Sequence, residues 1–185
     1  DTQIGLLQGA AFGVTFTLMT IPFGWLADYV KRTRLISIGI AFWSVMTATC
    51  GLSSTFPQIF LARMGVAVGE ATLSPTAPSL ISDNFPPERR SLPILVYTVG
   101  GGVGIGVALV AGGFVASLIA GRDVVMLPVL GAFEPWQVIF LAVGLPGLIV
   151  SLLFLMVAEP RRRDQGQSEP TTAEMWQVLG SRRAI

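Results

Sequence analysis

A chain of 185 residues of which 52% are apolar and only 12% charged carries about half the charge of an ordinary soluble domain. Its net charge of +1 and mean hydropathy of +0.68 leave no electrostatic footprint for a nucleic acid. The lack of histidine removes the usual general base and the commonest metal ligand, and the single Cys50 excludes an internal disulfide or a cysteine-built metal cluster, so no cofactor or metal is expected.

Crossing a hydrocarbon core of about 30 Å takes roughly 20 apolar residues. Runs of that kind predict five membrane-spanning helices, at 4–27, 35–54, 57–82, 92–118 and 136–158. The fold class is therefore an all-α membrane bundle. The opening Asp1-Thr2-Gln3 has neither an initiator methionine nor a charged signal-peptide start, and reads as a loop entering a helix within a longer protein.

In the first span Gly5, Gly9 and Gly13 recur every fourth residue and are continued by Thr17, making a stripe that lets another helix approach closely. The span closes on Gly24-Trp25-Leu26-Ala27-Asp28, a basic turn runs from Tyr29 to Arg34, and the second span starts at Leu35. That loop is too short for a domain and too charged for lipid, so it is a tight turn between two spans. Asp28 ends the first span and Asp83 the third. They serve either as ordinary caps and interface charges or, with Arg32, as a conformational latch.

The third span holds Arg63 and Glu70, seven residues apart on one face and roughly 10 Å apart along the axis. A lone charge at bilayer depth costs about 2.5–3.5 kcal/mol on insertion scales, so such residues face a partner or a wet cavity. Either the two form a structural pair, or Arg63 attracts an anionic substrate group while Glu70 exchanges a proton. Pro75 and Pro78 remove backbone donors and predict a kink below Glu70, and Pro146 predicts another in the last span.

The fourth span repeats the small-residue stripe at Gly100, Gly104, Ala108, Gly112 and Ala116, with Gly106 beside it. Static packing and a seam against a moving partner both fit such stripes. The cluster from Gly100 to Gly106 is no dinucleotide fingerprint: the third glycine is out of place and no strand precedes it.

Beyond the last span, residues 161–185 read as an inter-half linker. Its polar run from Asp164 to Pro170 leads to Thr171 and Glu174 at capping-box spacing, with Trp176 for the membrane surface and Gly180 to end a short helix. Ten of the twelve basic residues fall on one side: Lys31, Arg32, Arg34, Arg89, Arg90, Arg161, Arg162, Arg163, Arg182 and Arg183. Arg122 stands alone on the other side and Arg63 lies within a span. Basic loops stay cytoplasmic, so the first span enters from outside and the linker is cytoplasmic.

These residues resemble the major facilitator superfamily. Gly24 to Asp28 and Arg32 look like its loop motif between the second and third helices, and Asp83 matches the acidic residue that joins that motif. Arg63, Gly69, Glu70 and Ala71 look like the motif of its fourth helix. Gly104, Gly106, Gly112 and Gly113 fall where the glycines of its fifth-helix motif lie. The wording from Arg63 to Pro86, and from Trp136 to Glu159-Pro160-Arg161, is similar to the spinster-like branch. Tyr29 and Thr33 stand where basic residues are usual, and Lys31 replaces a turn glycine.

The resemblance implies the second to sixth helices of an N-terminal half-bundle, with a first helix before Asp1 and a second half-bundle after Ile185. It implies a secondary transporter in the bacterial inner membrane working by alternating access, whose partners are the bilayer, a small-molecule substrate and those missing helices. Arg63 and Glu70 would line the substrate and proton cavity, and Gly24, Asp28, Arg32 and Asp83 would form a cytoplasmic gate. Gly5, Gly9, Gly13, Gly100, Gly104, Gly106 and Gly112 would be the packing positions against the other half. Lysolipid-like amphiphiles are the substrates expected of this branch, and an organic-anion or sugar symporter is the alternative. An enzyme is not expected, because the chain lacks paired intramembrane carboxylates and ready nucleophiles. A non-transporting subunit would gain nothing from Glu70 in lipid.

Overall fold

The computed structural model describes residues 2–121, 124–127 and 131–162. Arg122, Arg163, Thr171, Glu174, Trp176, Gly180, Arg182 and Arg183 lie outside the described residues. Five helical rods follow one another. The first joins α1 (Thr2–Gly5), a π-helix over Leu6–Val14 and α2 (Thr15–Tyr29). The second is α3 (Arg32–Leu52), and the third joins α4 (Phe56–Ala71) to α5 (Leu73–Asn84). A 3-10 turn at Pro87–Arg89 leads into the fourth, α6 (Ser91–Leu118). The fifth joins α7 (Pro135–Gly144) to α8 (Pro146–Phe154).

The rods occupy the same stretches of chain as the five apolar runs, to within a few residues. Two features went beyond them. The π-helix falls where Gly9 and Gly13 lower the preference for an α turn, so this stretch is easily widened. An antiparallel hairpin, β1 (Val125–Leu127) with β2 (Gly131–Phe133), pairs Val125 with Phe133 between α6 and α7. Gly131 enters it at φ +96°, a conformation that suits glycine.

Among the described residues, four stretches are long and apolar enough to cross a membrane: Gly9–Tyr29, Arg32–Leu52, Pro87–Leu118 and Pro135–Phe154. The α4–α5 rod differs because it is interrupted and polar. Pro75 cannot donate to the carbonyl of Ala71 and its ring crowds that carbonyl. The helix breaks at Thr72, whose N–H and hydroxyl both turn back to Gly69 O, at 3.3 and 2.8 Å. Pro146 breaks the fifth rod in the same way, at Leu145.

α3 is the centre of the bundle, with α4–α5 on one side and α7–α8 on the other. Half of its span is buried, whereas none of the α6 span is. One cluster of the buried apolar residues is Cys50, Ala62 and Val66, ringed by Phe12, Trp43, Met46, Ile59 and Phe140. Small residues set the helix separations. A Cβ added to Gly69 would meet Trp43 N at 2.7 Å and Gly39 O at 2.8 Å, so α3 and α4 touch backbone to backbone. A Cβ on Gly144 would meet Ala48 N at 2.8 Å, which brings α7 equally close to α3. Where lipid replaces water, van der Waals contact of this kind is what holds helices together.

Candidate functional site

Arg63 and Glu70 both project from α4 into one cleft of about 650 Å³. Trp43, Thr47 and Val66 line it from α3 and α4, and Ile139, Phe140 and Val143 from α7. Gly101, Gly104, Ile105 and Ala108 of α6 form the remaining wall. Arg63 and Glu70 form no ion pair, and neither has a hydrogen bond to another described residue. Glu70 is exposed and Arg63 half-buried. The arrangement therefore offers one cation and one carboxyl, separately, to whatever enters an otherwise largely apolar cleft.

Of the four residues expected at a gate, Arg32 and Asp83 lie in a second cluster, near the ends of α3, α5 and α8. Arg32 is buried at 2% exposure. Its Nη2 lies 2.6 Å from Asp83 Oδ2, its Nε donates to Glu159 Oε1 at 3.0 Å, and its Nη1 donates to Ser79 Oγ at 2.8 Å. The other oxygen of Glu159 accepts from the Thr33 N–H and from the Thr33 hydroxyl, each at 2.8 Å. Burial pushes the Glu159 carboxyl up, but the Thr33 and Arg32 donors outweigh it and hold the group below the ordinary carboxylate range. Two of the three guanidinium nitrogens of Arg32 donate hydrogen bonds, and the third, Nη2, has the Asp83 carboxylate as its charge partner.

Asp28 stands apart from this cluster. Its side chain is exposed, and it is the backbone that is engaged: the Arg162 guanidinium donates to the carbonyls of Ala27, Asp28 and Val30, at 2.6 Å to Ala27 and 3.0 Å to Val30. Arg162 thus satisfies carbonyls that the end of α2 leaves without helical partners. Gly24 sits beside Pro75, whose Cβ would lie 3.7 Å from an added Cβ. The unusual residues of the turn fit the same picture. Lys31 sits at φ −65°, where no glycine is needed, and Thr33 supplies two donors to Glu159.

The two stripes have open space in front of them. At Gly5, Gly9, Gly100, Gly104, Gly106 and Gly112 an added Cβ would meet nothing within 4 Å, and Gly13 is half-buried. The glycines in tight contact are others: Gly39, Gly51, Gly65, Gly69, Gly144 and Gly147. Sequence spacing named none of these as packing positions, and Gly69 entered only as part of the fourth-helix motif. The contacts that Glu159 makes with Arg32 and Thr33, and Phe140 with Arg63, were not anticipated either. The signal for Glu159 was a lone acid opening an otherwise basic segment.

A model of the Major Facilitator Superfamily matches residues 1–185. Rat protein spinster homolog 1 is 34% identical over 185 residues, which cover 95% of this chain and 32% of that protein. An MFS-type efflux pump of Mycolicibacterium smegmatis is 28% identical over 162 residues, covering 88% of this chain and 34% of the pump. The crystal structure of a bacterial homologue of the human lysosomal transporter Spinster, inward-facing and unoccupied, superposes with a TM-score of 0.73 at 32% identity, covering 99% of this chain and 41% of that one. The chain spans about a third of the length of the curated relatives it matches. These likenesses join the half-bundle of apolar rods, the charged cleft on α4 and the cluster around Arg32 into one assignment: the chain belongs to the major facilitator superfamily of membrane transport proteins, on its spinster-like branch.

Proposed function

We propose that this half-bundle belongs to a secondary active transporter that works by alternating access, is coupled to protons, and carries an amphipathic or anionic small molecule such as a lysolipid. The observation that carries the reading is the cleft in which Arg63 and Glu70 form no ion pair among the described residues and stand between apolar walls. Arg63 receives an anionic headgroup, Glu70 exchanges the proton, and Ile105, Ile139 and Val143 accommodate an acyl chain. The names of the relatives, which include a lysosomal transporter homologue and an efflux pump, support transport as the activity of the longer protein.

The Arg32 cluster serves the cytoplasmic gate in this reading, with the Asp28 carboxylate left for a group of the second half. The open stripes of the first rod and of α6 are the surfaces on which that half slides. The basic ends face the cytoplasm of a bacterium, and the linker starting at Arg161 stays on that side, in keeping with the positive-inside rule. An organic-anion or sugar symporter would use the same two charges and differ in what fills the apolar walls.

The full-length protein in proteoliposomes tests both versions. Uptake of a lysophospholipid and of a small organic anion is measured with and without an imposed proton gradient. The proposal expects lysophospholipid uptake that follows the gradient, loses it in Glu70→Gln, and falls at least tenfold in Arg63→Ala. Gradient-driven uptake of the small anion alone supports the symporter version. Unchanged gradient dependence in Glu70→Gln removes the proton role.

A further inference from the structure

Arg63 brings a positive charge into a span, yet the carboxylate seven residues away does not take it. Its guanidinium carbon lies instead 5.5 Å from the centre of the Phe140 ring. That is within the roughly 6 Å over which a ring face attracts a cation.

The ring is held by contacts that do not involve Arg63. Phe140 packs against the core of Cys50, Ala62 and Val66. Trp136 meets it edge-on, with centroids 6.2 Å apart and an interplanar angle of 86°. Gly51 lets α7 approach so closely that an added Cβ would meet Gln137 O at 2.6 Å and Phe140 Cβ at 3.2 Å. Gln137 Nε2 then fixes the height of α7 by donating to Ser53 O at 3.0 Å.

We infer that Phe140 is a positioning residue for Arg63, holding the guanidinium at the wall of the cleft without neutralising it, so that the cleft selects an oxyanion headgroup. An ion pair with Glu70 would cancel both charges. A ring face attracts the cation through its quadrupole and leaves the net charge available. A guanidinium presented in this way offers paired donors to a phosphate or carboxylate. Without the ring, Arg63 is free to swing along α4 towards Glu70, the other ionisable group lining the cleft. This inference rests on the proposed role of the cleft and adds the residue that sets its charge preference.

The test uses full-length protein in lipid nanodiscs with 4-fluorophenylalanine at position 140, followed by fluorine NMR. The expected result is a resonance that moves on Arg63→Gln without any ligand. It should move again when lysophosphatidylglycerol is added, and stay still with a monoacylglycerol of the same chain length. Phe140→Leu should weaken lysophosphatidylglycerol binding by roughly two- to thirtyfold, with Phe140→Tyr restoring it. Stepwise fluorination of the ring should weaken binding in proportion, a trend that packing alone would not produce. A resonance indifferent to Arg63→Gln overturns the positioning. A resonance that responds to Arg63→Gln but treats both lipids alike upholds the positioning and overturns the charge selection together with the cleft's anion-binding role.

Discussion

Arg32 and Glu159 are 127 residues apart in sequence, yet the Nε of one donates to Oε1 of the other at 3.0 Å. This bond ties the start of α3 to the chain leaving α8. Through Asp83 at 2.6 Å, the same guanidinium also holds the end of α5. One side chain thus sets the spacing of three helix ends where the bundle would otherwise be free to splay.

Removing a partner from this cluster leaves the buried Arg32 with one carboxylate instead of two. Asp83→Ala should destabilise the protein by about 3–5 kcal/mol, the usual range for breaking a buried pair. Glu159→Gln, which leaves Arg32 its bond to Asp83, should cost about 1–3 kcal/mol. Thermal unfolding in detergent, with the double variant completing the cycle, measures the coupling. Additive losses would show that the two carboxylates act on Arg32 independently.

The same carboxylate gives stability a defined acid dependence. Its folded-state pKa is depressed, so in acid the unfolded chain binds the proton more readily and stability rises with pH in that window. The contribution of Glu159 is fully present above the unfolded value of about 4.3 and is lost as pH falls through the lower folded value. The gap in melting temperature between wild type and Glu159→Gln should therefore close as pH drops below about 4. A gap unchanged from pH 7 to pH 3 would contradict this.

The two classes of glycine should respond oppositely to alanine. Gly69→Ala forces a methyl against Trp43 N and Gly39 O, and overpacking of this kind costs about 1–3 kcal/mol. Gly100→Ala and Gly112→Ala meet open space in this half-bundle, and exchanging glycine for alanine within a helix gains about 0.5–1 kcal/mol. Melting temperature should fall for Gly69→Ala and hold or rise for the α6 variants when the half-bundle is probed locally by hydrogen exchange.

Arg162 gives a local prediction. Its guanidinium meets the carbonyls of Ala27, Asp28 and Val30, so Arg162→Ala should fray the last turn of α2. Amide exchange from Ala27 to Leu35 should speed up several-fold, with a global loss near 1 kcal/mol. Faster exchange spread evenly over α3 and α4 as well would point to a general loosening instead.

The sequence by itself determined the five rods. Length and hydropathy decide whether a segment can bury its backbone in lipid, and those properties are local. It also marked Arg63, Glu70, Arg32 and Asp83, because a charge in an apolar run is visible without knowing its neighbours. Asp83 was already expected beside Arg32, whereas tertiary structure alone decided the partners Glu159 and Phe140. Glu159 reaches Arg32 only because α8 lies against α3, where Ser37 Oγ and Ser151 Oγ each donate to the other's backbone carbonyl, at 2.8 and 2.9 Å. Arg63 meets Phe140 instead of Glu70 because Gly51 admits α7 so closely. The fourfold stripes were legible and pointed outward, while Gly39 and Gly144, both in tight contact, belong to no such stripe. Close approach depends on which two surfaces happen to face each other, and that is a property of the assembled bundle rather than of either helix.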